Sequence, residues 1–133
     1  GSRLVGSEMC IRDRYTTALS PALAAGALKS LQKVKSNKEW GINLLSDAKK
    51  WKREILHHIN YPVKGDSQIL SIIVGQEEKT ILLQKHLEKN GFLAIAIRPP
   101  TVPIHESRIR LTIRRDLNLD ILKNFTSVLK SFK

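Results

Sequence analysis

Apolar residues recur at helical spacing in two successive segments of the chain. Ser20 and Pro21 are typical of a helix start, because a serine side chain can accept from a free N–H group and proline has no N–H to satisfy. The second segment covers roughly residues 40–59 and ends before Pro62, which disfavours helix in the residue that precedes it. Its apolar stripe is Leu44, Ala48, Trp51, Ile55 and Ile59. The pattern therefore predicts two helices.

Short apolar runs separated by turn residues follow, and these indicate strands. Residues 68–74 and 92–97 are strand candidates, and the helix predicted between them ends at Asn90-Gly91. Lys64-Gly65-Asp66 is typical of a turn. Residues 107–113 alternate between apolar and polar positions, as expected of a strand with one buried face. The apolar set is Ile109, Leu111 and Ile113, and the polar set is Arg108, Arg110 and Thr112.

The last periodic segment, about 118–131, predicts a helix whose inward residues are Leu119, Leu122, Leu129 and Phe132. The predicted order is two helices followed by β-α-β-β-α. This order favours an α+β fold in which a small, mainly antiparallel sheet is covered by helices on one face and preceded by two helices.

Composition changes this picture little, but charge raises a question about partners. The chain has 133 residues, 41% of them hydrophobic, which suits a single globular domain. Its net charge of +11 is compatible with nucleic-acid binding. The lysines are scattered over polar helix faces, and no aromatic residues alternate with basic ones, so a charged surface without nucleic acid is the favoured interpretation. A stand-alone basic domain that binds nucleic acid remains an alternative.

The single cysteine, Cys10, cannot form an internal disulfide and fits a reducing compartment. No apolar run is long enough for a membrane span, and the start lacks a hydrophobic signal core. These features predict a cytoplasmic protein that does not contact membranes. Residues 1–14 resemble an expression tag or an artefact of sequence assembly, and we expect no functional role for them.

Few residues suggest chemistry on their own. The four histidines have no metal-ligand spacing, so no metal site is predicted. Arg110 lies on the polar side of a predicted strand, after the proline-stiffened loop 98–103. A guanidinium in that position can bind a carboxylate through two parallel hydrogen bonds. From the pattern alone, the favoured interpretation is that Arg108 and Arg110 are solvent-exposed arginines without a ligand.

The segments Arg98-Pro99-Pro100-Thr101-Val102-Pro103 and Ser107-Arg108-Ile109-Arg110-Leu111 resemble the C-terminal motif of the α-oxoamine synthases. These are pyridoxal-phosphate-dependent enzymes of fold type I, in the class-II aminotransferase-like group. Residues 15–22 and 72–75 resemble two further segments of that family in the same order. The Arg-Pro-Pro form is similar to the branch that makes 8-amino-7-oxononanoate for biotin. A relative that uses glycine or serine remains an alternative.

The resemblance implies residue roles by position. Arg110 matches the arginine that binds the α-carboxylate of the amino-acid substrate, and Thr101 matches a residue near that substrate. Arg98 lies where the acyl chain or its carboxylate is sensed. Thr17, with Thr16 beside it, matches a hydroxyl that reaches the cofactor phosphate of the neighbouring subunit.

The resemblance also implies an organisation and a set of partners. Residues 63–133 correspond to a C-terminal small domain, and 15–62 to a helical segment leading from a larger domain. The expected partners are alanine, a pimeloyl thioester on coenzyme A or a carrier, pyridoxal phosphate and a second subunit. The lysine that binds the cofactor belongs upstream of Tyr15, so the chain holds no catalytic residue and is expected to be inactive alone. His105, Glu106 and Ser20 depart from the family pattern, and the first two affect the substrate loop.

Overall fold

The computed structural model describes residues 20–133, which contain four helices and four strands. Residues 1–14, Thr16 and Thr17 lie outside the described residues. The chain divides into two compact units, with the boundary between Lys38 and Glu39. In chain order the elements are α1 Pro21–Ser36, α2 Glu39–His58, β1 Val63–Lys64, β2 Ile69–Gly75, α3 Glu77–Lys89, β3 Ile95–Ile97, β4 Ser107–Thr112 and α4 Leu119–Ser131.

Helix α1 begins as its sequence predicts. The Ser20 hydroxyl accepts a hydrogen bond from the Leu23 N–H at 3.2 Å, and Pro21 occupies the first helical position. At the other end, the Asn37 side-chain amide donates to the Lys33 carbonyl at 2.7 Å. These two contacts satisfy backbone groups that a helix leaves free at its ends. None of the described helices is both long and apolar enough to cross a membrane.

The four strands form one sheet in the order β1-β2-β4-β3, and every neighbouring pair is antiparallel. Strand β1 was not predicted, since Lys64 was assigned to a turn. The turn does follow directly: Gly65 has φ of 121°, where an added Cβ would collide with the Ile69 carbonyl. This conformation allows the chain to reverse after only two strand residues.

Alternation along the strands divides the sheet into two faces. On the covered face, Leu70, Ile72, Ile109 and Leu111 are all buried. Helix α2 contributes Ala48, Trp51 and Ile55 to the same core, as its stripe predicts. Leu83 and Leu87 of α3 and Leu122, Phe125 and Leu129 of α4 complete the core. The prediction of an antiparallel sheet covered on one face in an α+β fold is confirmed.

Strand β3 is shorter than the predicted 92–97. The first residue of that segment, Phe92, belongs to the C-terminal cap of α3. Gly91 has φ of 85° and donates its N–H to the Glu88 carbonyl, and the Phe92 N–H donates to the Leu87 carbonyl at 2.9 Å. This is the hydrogen-bond pattern of a Schellman helix end. Phe92 then packs edge-on against Phe125, with ring centroids 5.2 Å apart. The chain joins the sheet only from Ile95 onward.

The inward face of α4 also differs from its prediction at two positions. Leu119 is 53% exposed, whereas Phe125, which was not predicted, is buried. Asn118 caps the helix by accepting from the Ile121 N–H at 3.0 Å, so Leu119 is the first helical residue. The apolar arc begins one turn later and runs through Leu122, Phe125, Thr126 and Leu129. The predicted inward positions Leu122 and Leu129 are confirmed, and Phe132 is partly buried against the core.

The loop between β3 and β4 reaches Ser107 through an uncommon backbone conformation at His105, whose φ is 67°. Opposite it, Gly75 has φ of 91°, and a Cβ there would lie 3.3 Å from the His105 carbonyl oxygen. Gly75 pairs with Ser107 across an irregularity in the register of β2. His105 therefore carries a side chain at a position where the backbone conformation favours glycine.

Truncation of a buried leucine should separate core from surface contributions. Leu87 is fully buried, so Leu87→Ala is expected to lower the free energy of unfolding by about 2–5 kcal/mol through lost burial and the cavity left behind. Leu93, 90% exposed, is the matched control, and Leu93→Ala should change it by less than about 0.5 kcal/mol. Urea denaturation followed by circular dichroism measures both. Equal effects of the two substitutions would contradict the assignment of the core.

Glycine should be tolerated differently at two adjacent loop positions. His105→Gly removes the cost of a left-handed backbone, about 1–2 kcal/mol, but adds chain entropy in the unfolded state. We expect a net gain of up to about 1 kcal/mol in the free energy of unfolding. Ile104→Gly has no such strain to relieve and should cost about 0.5–1 kcal/mol. The same denaturation experiment compares them, and a loss at both positions would show that His105 makes a stabilising contact.

Candidate functional site

Among residues 39–133, the second face of the sheet is open, and we call it the open face. Its residues pair directly across the strands and so point the same way. It consists of Lys64, Ile69, Ser71, Ile73, Ile95, Ile97, Arg108, Arg110 and Thr112. The alternation predicted for residues 107–113 thus places Arg108 and Arg110 together on this face, two residues apart on β4.

Arg110 lies at the centre of the open face. It pairs with Ser71 on β2 and with Ile95 on β3, and its side chain is exposed. Within residues 20–133, no carboxylate lies within salt-bridge distance of its guanidinium. The donors of Arg110 are therefore available to an external carboxylate, with geometry suited to two parallel hydrogen bonds.

Arg108 differs from Arg110 because its charge is compensated locally. Its guanidinium donates to the Glu106 carboxylate at 2.9 Å and to the Glu106 carbonyl at 3.1 Å. The Arg108 side chain is only 20% exposed, so this pair is partly shielded from water. Glu106 thus places a negative charge beside Arg108 and holds this arginine in position.

Arg98 is also paired, at the start of the loop. Its guanidinium donates to the Glu77 carboxylate at 3.1 Å, in the first turn of α3. Both side chains are about half exposed, so this ion pair contributes little to stability. The Arg98 side chain therefore points toward α3, and the carboxylate of an acyl chain would have to compete with Glu77 for its guanidinium.

Thr101 is exposed in a turn, where its N–H donates to the Arg98 carbonyl at 3.1 Å. The loop leaves β3 after Ile97, which pairs with Arg108, and not beside Arg110. Thr101 and Arg98 thus lie at the end of the sheet, beyond the level of Arg108. Among the predicted site residues that the structure describes, Arg110 alone is at the centre of the open face.

The sequence did not single out Ser71 or Lys64, which the register places in line with Arg110. No motif marks them, because their position depends on pairing between distant strands. A cleft of about 650 Å³ also reaches Arg110 from the edge where β3 starts late, with Leu93, Ile95 and Thr112 among its lining residues. No group of three or more metal-binding side chains occurs among residues 20–133.

No model of a protein family matches the chain. Curated proteins, in contrast, are similar to the chain in sequence. A protein of Bacillus cereus (strain B4264) named putative 8-amino-7-oxononanoate synthase is 34% identical over 110 residues, which are 82% of this chain and 28% of that protein. The 8-amino-7-oxononanoate synthase of Methylobacterium nodulans is 37% identical over 97 residues, 73% of this chain and 24% of that protein. The chain therefore spans about a quarter of the length of these relatives.

Solved structures share the fold. Serine palmitoyltransferase of Sphingomonas wittichii superposes with a TM-score of 0.79 at 18% identity, over 88% of this chain and 30% of that one. A structure of serine palmitoyltransferase from S. paucimobilis gives 0.78 at 19% identity, with the same coverage of this chain and 30% of that one. The sequence relatives confirm the resemblance inferred from the motifs. Over the part that they share, the chain is a homologue of proteins named 8-amino-7-oxononanoate synthase, with the fold of a part of serine palmitoyltransferase.

Proposed function

We propose that the chain is the C-terminal part of a pyridoxal-phosphate-dependent α-oxoamine synthase that makes 8-amino-7-oxononanoate from alanine and a pimeloyl thioester. The observation that carries the proposal is the uncompensated guanidinium of Arg110 at the centre of the open face. The relatives' name supplies the product. In this organisation 63–133 is the small domain and 15–62 the segment leading from a larger one.

In the proposed reaction, the α-carbon of alanine loses a proton and bonds to the acyl carbonyl carbon. The carrier leaves as its thiol, the alanine carboxylate departs as carbon dioxide, and the α-carbon then takes up a proton in place of the carboxylate. Arg110 holds that carboxylate until it leaves, which fixes the rotation of the bonds at the α-carbon. The contribution of Arg110 is therefore positioning of the substrate rather than proton transfer.

Pyridoxal phosphate (PLP) is present in serine palmitoyltransferase structures that share this fold. The open face offers a cation for a substrate carboxylate, whereas the residues proposed for the cofactor phosphate, Thr16 and Thr17, precede the described part. When bound, the cofactor withdraws electrons from the α-carbon of the amino acid. No lysine among residues 20–133 has the glycine-rich context of a cofactor lysine. We therefore propose that the chain alone is inactive.

The remaining assignments are part of the same proposal. Thr101 contributes to the substrate pocket from the loop, and Arg98 senses the acyl chain when it separates from Glu77. The intact enzyme is a cytoplasmic homodimer that takes amino-acid and acyl thioester substrates and binds neither nucleic acid nor membranes. A glycine- or serine-using synthase is the alternative within the family, and it differs in the amino acid that the complete protein consumes.

The proposal is tested on the protein encoded by the longer reading frame, once the codons upstream of Tyr15 have been determined. That protein should release coenzyme A from pimeloyl-coenzyme A in the presence of alanine. Arg110→Lys should lower kcat/KM for alanine about 10- to 100-fold, because one ammonium cannot replace two parallel guanidinium hydrogen bonds. Arg53→Lys, at an exposed position on α2, is the matched control and should stay within about twofold. Continuous coenzyme A release measures both.

Two results would contradict the proposal. An upstream frame without a glycine-flanked lysine would remove the enzyme interpretation. Turnover of alanine and pimeloyl-coenzyme A by the 133-residue chain itself would show that a catalytic centre lies within it. If glycine or serine is consumed much faster than alanine, the alternative within the family replaces the present assignment.

A further inference from the structure

Three rows of side chains cross the open face, and one of them joins Arg110 to a second cation. The register pairs Lys64 with Ser71, Ser71 with Arg110, and Arg110 with Ile95. These four residues thus form one row across all four strands. Lys64 and Arg110 are exposed, and Ser71 is half-buried between them.

The hydrogen-bond pattern sets the spacing within this row. The Ile113 N–H donates to the Gln68 carbonyl at 2.7 Å, so by alternation Ser71 and Arg110 form a non-hydrogen-bonded pair. The Ile73 N–H donates to the Pro62 carbonyl at 2.8 Å, so Lys64 and Ser71 form a hydrogen-bonded pair. Typical Cα separations of about 4.5 Å and about 5.5 Å for these two kinds of pair place the Cα atom of Lys64 about 10 Å from the Cα atom of Arg110.

The other cations near this row are already compensated. Arg108, in the adjacent row, is bound to Glu106, and Arg98 is bound to Glu77. Among residues 20–133, Lys64 forms no salt bridge. Lys64 and Arg110 are therefore two uncompensated cations on one face, with a hydroxyl group between them that can donate or accept.

We propose that Lys64 binds the free terminal carboxylate of a dicarboxylic acyl chain whose other end lies at Arg110, with Ser71 hydrogen-bonded between them. This inference rests on the proposed function and adds Lys64 to Arg98, the residue for which the motif alone suggested a role in acyl recognition. Alanine and a pimeloyl chain, once joined, have eight carbon–carbon bonds between their two carboxylate carbons. With bonds of about 1.5 Å, such a chain extends over about 10 Å. Two long, flexible cationic side chains whose Cα atoms lie about 10 Å apart can reach the two ends of a chain of this length.

The test uses the full 133-residue chain and needs no cofactor. Nonanedioate has the same eight bonds between its carboxylate carbons, and its monomethyl ester has the same length but one charge. Both are titrated into the ¹⁵N-labelled chain at low ionic strength, where charge interactions are least screened, and followed by NMR at the Arg110 and Lys64 signals. We expect nonanedioate to bind about twofold to fivefold more tightly than the monoester, the range of one exposed ion pair.

Variants of the same chain show whether Lys64 is responsible. Lys64→Gln should abolish the preference for nonanedioate and leave monoester binding unchanged, whereas Lys64→Arg should retain the preference. Lys49→Gln, the same charge change at an exposed position of α2, should leave the preference intact. The proposal is overturned if Lys64→Gln keeps the preference, or if Lys49→Gln reduces it equally.

This test and that of the proposed function fail separately. If the longer protein shows no turnover while the preference depends on Lys64, the dicarboxylate subsite stands and the synthase assignment falls. If the longer protein makes the product but the preference is absent, the synthase assignment stands and Lys64 has no role in acyl recognition.

Discussion

The pairing of β4 on both sides determines the rest of the structure. Because β4 lies between β2 and β3, its alternating side chains are fixed relative to two neighbours at once. Ile109 and Leu111 enter the core under the helices, and Arg108 and Arg110 are held on the open face. A shift of one residue in this register would bury both arginines and expose both apolar side chains, so the core itself enforces the position of the candidate site.

Charge compensation then distinguishes arginines that the sequence makes look equivalent. Arg98 is ion-paired with Glu77, and Arg108 is ion-paired with Glu106. Arg110 has only Ser71 and Ile95 beside it in the row. The difference between the two ion-paired arginines and Arg110 therefore comes from the loop and from the first turn of α3, neither of which belongs to the strand that carries Arg110.

Elements that depend on contacts between residues close in sequence could be predicted, whereas features that depend on contacts between distant residues could not. Helices α1 and α2, the stripe of α2 and the alternation of β4 depend on neighbours a few residues away, and the sequence predicted them correctly. Strand β1 was missed because a strand of two residues is too short to show periodicity. Strand β3 was predicted too long because an apolar run does not show which of its residues belong to the end of the preceding helix. In the site, Arg110 was found through a motif. Lys64 and Ser71 could not be, because their alignment with it exists only after β1, β2 and β4 have paired.

The open face also has an apolar component that bears on how a carboxylate would be bound. Ile95, which pairs with Arg110, is 51% exposed, and Ile69, the first residue of β2, is 40% exposed. Apolar side chains around a cation gain from being covered, and covering them removes water from the guanidinium. An arginine–carboxylate pair is stronger when water is excluded, provided that its donors are satisfied. Under the proposed function, any part of the complete protein that covers this face would therefore strengthen the pair between Arg110 and its ligand. In that setting the local pairing of Arg108 with Glu106 has a consequence for specificity. Because of this pair, Arg108 is not a second free guanidinium beside Arg110, so under the proposed function a carboxylate on this face has Arg110 as its guanidinium partner. In the same row, the described cation without an acidic partner is Lys64, whose Cα atom lies about 10 Å from that of Arg110.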